Sequence, residues 1–128
     1  MALLLDTNIA IHLRDGDGPV AARAAQAQDA LVISIITQIE LIGGVWREPA
    51  FAAMRRARLD VMLQAIPVLP FDAAAAAAYG AILAQAGSSR RKLLDRMIAA
   101  QALAIGATLV TRNAADFADV PGLALATW

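Results

Sequence analysis

Four acidic residues stand where solubility alone gives no reason for a charge. Asp6 closes an apolar run in Leu3-Leu4-Leu5-Asp6-Thr7-Asn8. Glu40 follows a second run, in Ser34-Ile35-Ile36-Thr37-Gln38-Ile39-Glu40, with Gly43 and Gly44 one turn further on. Asp95 begins Asp95-Arg96-Met97-Ile98-Ala99-Ala100-Gln101-Ala102, where helical spacing gives it the same face as Ile98, Ala99 and Ala102. Asp116 follows a third run, in Thr111-Arg112-Asn113-Ala114-Ala115-Asp116-Phe117. Each has an ordinary local explanation. Asp6 and Asn113 suit helix caps, Thr37-x-x-Glu40 reads as a capping box, and acids in a first turn suit the helix dipole. Their joint placement is harder to explain that way. Three acids lie just beyond separate strands, and the fourth begins a helix leading into one of those strands.

In a parallel sheet all four can converge at one edge. Carboxylates gathered there repel by roughly 4 kcal/mol per close pair at an effective dielectric near 20. A protein tolerates that by protonating some of them or by binding a cation. Oxygen ligands without His or Cys favour Mg²⁺ or Mn²⁺, the usual apparatus of phosphoryl chemistry.

The elements that must position these groups follow from the apolar pattern. Ala2–Leu5, Leu31–Ile35, Thr108–Thr111 and Leu123–Ala126 read as strands, the first two nearly continuous, as strands buried on both faces are. Ile66–Leu69 adds another, confined to an edge by Pro67 and Pro70. A helix runs from Pro49 to about Ala65 with Phe51, Met54, Val61 and Met62 on its apolar side. Asp72 caps the alanine run, in which Tyr79, Ile82, Leu83 and Ala86 recur at helical spacing and Gly87 is the stop. A third helix spans Asp95 to Ile105 and ends at Gly106. Shorter helices follow Asp6, cover Val20–Ala30 and follow Thr37. Alternating strands and helices imply an α/β fold, a three-layer α/β/α sandwich with a mainly parallel central sheet. Ligand sites in such sheets gather at the carboxyl ends of the strands.

Composition bounds the rest. The 128 residues suit one domain over 1–128, and 59% hydrophobic with 17% charged residues excludes disorder. The absence of cysteine excludes disulfides and thiolate chemistry and fits a reducing cytoplasm. No leader is evident, and the charge-free stretches Ala73–Ala84 and Met97–Val110 are too short to span a membrane. The 32 alanines and the ten arginines among eleven bases read as compositional bias before function. Eleven acids balance eleven bases, which argues at first against nucleic acid. If four acids bind a metal, however, the remaining seven face eleven bases, and the balance loses that force.

The phrases LLDTNI (4–9), ISIITQIELIGG (33–44), DRMIAAQAL (95–103) and TLVTRNAADFADVPGL (108–123) resemble the PIN domain, and more narrowly the VapC-type toxins of bacterial toxin–antitoxin pairs. The likeness runs from end to end in family order. It implies a PIN-like fold and a Mg²⁺- or Mn²⁺-dependent endoribonuclease that inhibits translation or growth. Asp6, Glu40, Asp95 and Asp116 would form the catalytic, metal-binding quartet, with Asp6 and Asp95 central and Asp116 acting through water. Thr7, Asn8, Thr111 and Asn113 would orient carboxylates or the scissile phosphate, and Ser34 takes a strand-end threonine position. A metal-activated water would attack phosphorus in line with the leaving ribose oxygen. His12, the only histidine, is a packing or surface residue in this reading. Arg90, Arg91, Lys92 and Arg112 flank the acids and are the RNA-binding candidates, because guanidinium forks onto phosphate. Arg55, Arg56 and Arg58 point different ways around their helix and read as surface or partner groove.

Partners also follow from the resemblance: an RNA substrate, a homodimer, and a small VapB-like antitoxin whose C-terminal segment covers the acids. No membrane partner is expected. A receiver-type phosphoacceptor would need a lysine after a late strand, and Lys92 is not so placed. A haloacid-dehalogenase-type phosphatase would need Asp where position 8 is Asn. The remaining alternative is a non-catalytic PIN-like module binding protein or RNA, against which the complete quartet stands.

Overall fold

The three central apolar runs become strands here because both faces of each are covered. The computed structural model describes residues 1–128. Strands β1 (Ala2–Leu5), β2 (Ala30–Ser34), β3 (Val68–Leu69), β4 (Thr108–Val110) and β5 (Leu125–Ala126) form one sheet in the order β3-β2-β1-β4-β5, with every pairing parallel. Leu4 is in register with Val32 and Leu109, and these point into one core with Ile82, Ile98, Ala99 and Phe117. One residue on, Leu5 is in register with Ile33 and Val110 and faces a second core with Ile9, Leu41, Leu59 and Met62. Each such leucine, wholly buried, contributes about 1.5–3 kcal/mol.

Helices α1 (Thr7–Arg14), α2 (Gly18–Gln26), α3 (Ile35–Arg47) and α4 (Ala52–Ala65) link β1, β2 and β3, and residues of all four belong to the second core. Helices α5 (Ala73–Ala86) and α6 (Leu93–Ile105) link β3 to β4 and supply the first. The chain therefore winds outward from β1 to β3, then returns to β1's other side as β4. The strand order reverses between β1 and β4, which opens a crevice at their carboxyl ends. Asp72 caps α5 through the Ala75 amide at 2.9 Å, and Gly87 and Gly106 end α5 and α6 with positive φ.

Several expected boundaries move, each for a visible reason. Helix α3 starts before Thr37, because the Ser34 hydroxyl takes the Ile36 amide at 2.9 Å and caps it first. Glu40 is thereby released from a capping box. Helix α2 begins at Gly18, capped by Asp17, and stops at Gln26, short of Ala30, which has joined β2. Helix α6 begins two residues before Asp95. Strand β5 starts only at Leu125, since Pro121 and Gly122 first make a turn. Pro49–Phe51 is a 3-10 turn preceding α4. Phe51 in that turn and Met54 and Val61 on α4 are exposed, and the buried stripe of α4 is Leu59 and Met62. Arg55 accounts for part of this: it lies 5.3 Å over the Phe51 ring and donates to the Gly44 carbonyl at 3.0 Å, so its stem faces the domain instead.

Candidate active site

Asp6 sits at the switch point. Its amide continues the ladder by donating to the Val110 carbonyl at 3.0 Å, and its carboxylate accepts the Ile9 amide at 2.9 Å, which caps α1. The capping explanation is therefore real, but it uses one carboxylate oxygen. The side chain is buried, and burial pushes its pKa up; the Thr111 hydroxyl, the Ile9 and Asn8 amides and His12 oppose that rise.

Glu40 arrives from α3, half-buried, and accepts a hydrogen bond from the Thr7 hydroxyl at 2.8 Å. Thr7 Oγ1 also lies 3.0 Å from Thr37 Oγ1. With the Thr7 proton on Glu40, the fully buried Thr37 hydroxyl is the donor to Thr7. This relay fixes Glu40 through one oxygen and leaves the other free. Asp95, in the first turn of α6, is half-buried. Its pKa is raised by burial first, then by the charges of Asp116, Asp6 and Glu40, against the pull of Lys92.

Asp6, Thr7, Asn8, Ile11, Glu40, Arg47 and Asp95 line one cleft of about 340 Å³. Asp116 does not line it. It is exposed on a 3-10 turn over Ala114–Phe117, and its charge adds to burial in raising the Asp95 pKa. A larger apolar groove of about 600 Å³ lies between α1 and α4, but its only ionisable lining residues are Arg14 and Arg58. The smaller cleft holds the convergent carboxylates.

The donor set suits a hard divalent cation: oxygen only, with two acids whose charged forms are disfavoured until a cation offsets them. No three carboxyls stand close enough to enclose an ion by themselves. Mg²⁺ does not require that, because it keeps several waters and takes one or two carboxylates directly.

The supporting residues fall into two groups. Thr111 is wholly buried and its hydroxyl accepts the Asn113 amide at 3.0 Å, while Asn8 and Asn113 are exposed. Ser34 is occupied structurally, capping α3 and donating to Gln101 Oε1, while Gln101 Nε2 donates to the Leu69 and Pro70 carbonyls at 3.1 and 3.0 Å. Among the bases, Arg90 and Arg91 are exposed on the loop before α6. Lys92 instead pairs with Asp119 at 3.0 Å. Arg112 donates to the Trp128 carbonyl at 3.1 Å and to Asp17 at 3.4 Å. His12 Nδ1 lies 3.7 Å from Asp17.

Arg47 was not among the residues singled out by type and spacing. It is the one basic side chain lining the cleft, and it is exposed and joins no ion pair of the chain. Helical spacing could have found it, since it stands seven residues after Glu40 and so on the same face of α3. Gln101, Arg96 and Asp119 carry no such local signal.

The PIN domain family model matches residues 3–123. A relative named as a tRNA(fMet)-specific endonuclease VapC, from Shigella flexneri, is 33% identical over all of this chain and 98% of its own length. The solved structure of VapBC2 from Rickettsia felis, bound to a DNA fragment from their promoter, superposes with a TM-score of 0.88 at 28% identity, covering 100% of this chain and 99% of that one. VapBC-1 from nontypeable Haemophilus influenzae gives a TM-score of 0.81 at 30% identity, covering 100% and 98%.

Proposed function

The chain belongs to the PIN-domain family, and from that premise we propose that it is a VapC-type endoribonuclease, the toxin of a toxin–antitoxin pair, with its catalytic centre at Asp6, Glu40, Asp95 and Asp116. The observation that carries the site is the cleft itself. Carboxylates from the end of β1, from α3 and from α6 face one small polar space, and the charge of Asp116 acts on Asp95. No histidine lines that space, so acid–base work by imidazole is not what the cleft is built for.

Asp6 and Asp95 would hold a divalent cation, Mg²⁺ or Mn²⁺, with Glu40 and Asp116 completing the acidic surround. Such a cation lowers the pKa of the attacking water and offsets charge on the phosphoryl oxygens. Thr7 fixes Glu40, Thr111 supports Asp6, and Asn8 and Asn113 present amides at the exposed edge. Arg47 reaches the cleft from α3 and binds RNA phosphate, with Arg90 and Arg91 extending the basic surface. Lys92 and Arg112, already paired within the chain, contribute less.

An antitoxin of VapB type is the partner, as in the solved complexes of the relatives. Ile39, Ile42, Trp46, Met54 and Val61 are exposed on α3 and α4, more apolar surface than a lone small domain requires, and a homodimer accounts for part of it. The tRNA named for the Shigella flexneri relative is the first substrate to try. The test is Asp95→Asn. Wild-type chain should cleave RNA only with Mg²⁺ or Mn²⁺ and melt at higher temperature with either ion. The variant should lose both responses. Undiminished cleavage by Asp95→Asn would remove Asp95 from the centre.

A further inference from the structure

Asp119 lies three residues beyond Asp116 and has no role in the quartet or among its supporting residues, yet two cations converge on one of its oxygens. Lys92 Nζ and Arg96 Nη2 each stand 3.0 Å from Asp119 Oδ2. Arg96 is almost wholly buried and also donates from Nη1 to the Gly87 carbonyl. Its Nε is buried with no partner. An aliphatic side chain would fill this space without leaving a buried donor unsatisfied, so packing alone does not account for an arginine here.

The connections fall on three segments. Gly87 ends α5, Lys92 and Arg96 sit on either side of Asp95 around the first turn of α6, and Asp119 closes the segment carrying Asp116. We propose that Asp119, gripped by Lys92 and Arg96, is a positioning residue that locks the Asp116 turn against the first turn of α6 and so sets the spacing between Asp116 and Asp95. This rests on the metal-centre reading above. It also gives Lys92 a different role from RNA binding: its ammonium holds the frame of the acidic cleft.

Charge sign makes the idea testable. Lys92 disfavours a cation near Asp95 through simple repulsion, so on electrostatics alone Lys92→Ala should bind Mn²⁺ more tightly. If Lys92 holds the clamp, Lys92→Ala should bind Mn²⁺ more weakly. The measurement is Mn²⁺ titration of the RNA-free chain, by electron paramagnetic resonance of the free ion and by calorimetry, with thermal melts as the folding control. Arg96→Gln and Asp119→Asn should weaken Mn²⁺ binding by roughly tenfold, the scale of outer-shell substitutions around a metal site, and Lys92→Ala by a smaller factor. Asp119→Glu should restore part of the affinity. Lys92 is partly exposed, so its alanine variant tests the proposal even if Arg96→Gln fails to fold. Tighter or unchanged Mn²⁺ binding by folded Lys92→Ala overturns it. A wild-type chain that binds no Mn²⁺ overturns the metal-centre reading as well, which is a distinguishable result.

Discussion

Asp95 lies in the first turn of α6, Asp119 is bound by the cations on either side of Asp95, and the two differ in burial and in company. Asp95 faces Asp116, Asp6 and Glu40 and is partly buried, and its pKa is raised. Asp119 accepts hydrogen bonds from Lys92 and Arg96, and its pKa is lowered. The difference separates two uses of charge around one turn of helix. Charge left without a protein partner marks where something else must bind; charge already partnered holds the frame. The same division runs through the bases, where Arg47 is free at the cleft and Arg112 is tied to Asp17 and Trp128.

The largest expected effect comes at Asp6, whose carboxylate caps α1 and which we propose as a metal ligand. Asp6→Asn keeps a good cap and should lose RNA cleavage by roughly a thousandfold, about 4 kcal/mol of transition-state stabilisation. Asp6→Ala should lose activity equally and also cost about 1 kcal/mol of stability from the missing cap. Single-turnover cleavage and denaturant melts of the metal-free chains separate the two roles. Equal stability of the two variants would show that the cap contributes nothing.

Stability against pH sharpens the contrast between the two aspartates. A carboxyl with raised folded pKa binds protons more tightly when folded, so its contribution falls as pH rises from its ordinary value of 3.8 through the raised one. Metal-free Asp95→Asn should therefore melt a few degrees above wild type at neutral pH. A carboxyl with lowered folded pKa contributes above its ordinary value and loses that contribution as pH falls through the lowered one. Asp119→Asn should melt below wild type at neutral pH. As pH falls, the Asp95→Asn difference should vanish first and the Asp119→Asn difference later. Saturating Mg²⁺ should reverse the Asp95→Asn difference, because only wild type gains from the ion.

Local pattern carried most of the architecture and part of the site. Strands buried on both faces and helices ended by Gly87 and Gly106 are written in runs of neighbouring residues, and so are the positions of Asp6 and Asp116 after their strands. Glu40's placement needed more, because both Ser34 and Thr37 read as possible starts, and the cap at Ser34 decided between them. The Thr7–Glu40 bond spans 33 residues, Lys92–Asp119 spans 27 and Arg96–Asp119 spans 23. Nothing in the periodicity of one segment says which distant charge it will meet. Lys92 and Arg112 illustrate the consequence: beside acids in sequence, each reads as a phosphate contact, and each is held by a group elsewhere in the chain.

A smaller effect tests the free base. Arg47→Ala should raise the KM for RNA about fivefold, near 1 kcal/mol for an exposed charged contact, and leave kcat unchanged. It should also flatten the dependence of log affinity on log salt by about 0.7, the share of one phosphate contact on a single strand. Lys at this position keeps the charge without the fork and should fall between the two.

The smallest effect is expected at Arg112, and it would break the comparison if it were large. Its Nε donates to the Trp128 carbonyl and its Nη2 reaches Asp17, so RNA binding would first have to release both. The ion pair with Asp17 is partly exposed and long, and worth at most about 0.5 kcal/mol. Arg112→Ala should therefore leave the KM within about twofold of wild type, on the scale of that weak pair, with an unchanged salt slope. Hydrogen exchange should instead quicken in β5, whose Ala126 carbonyl accepts the Thr111 amide just before Arg112. A KM shift as large as that of Arg47→Ala, without faster exchange in β5, would mean that the base leaves its partners for RNA. Partnered and unpartnered charge would then no longer separate frame from site in this cleft.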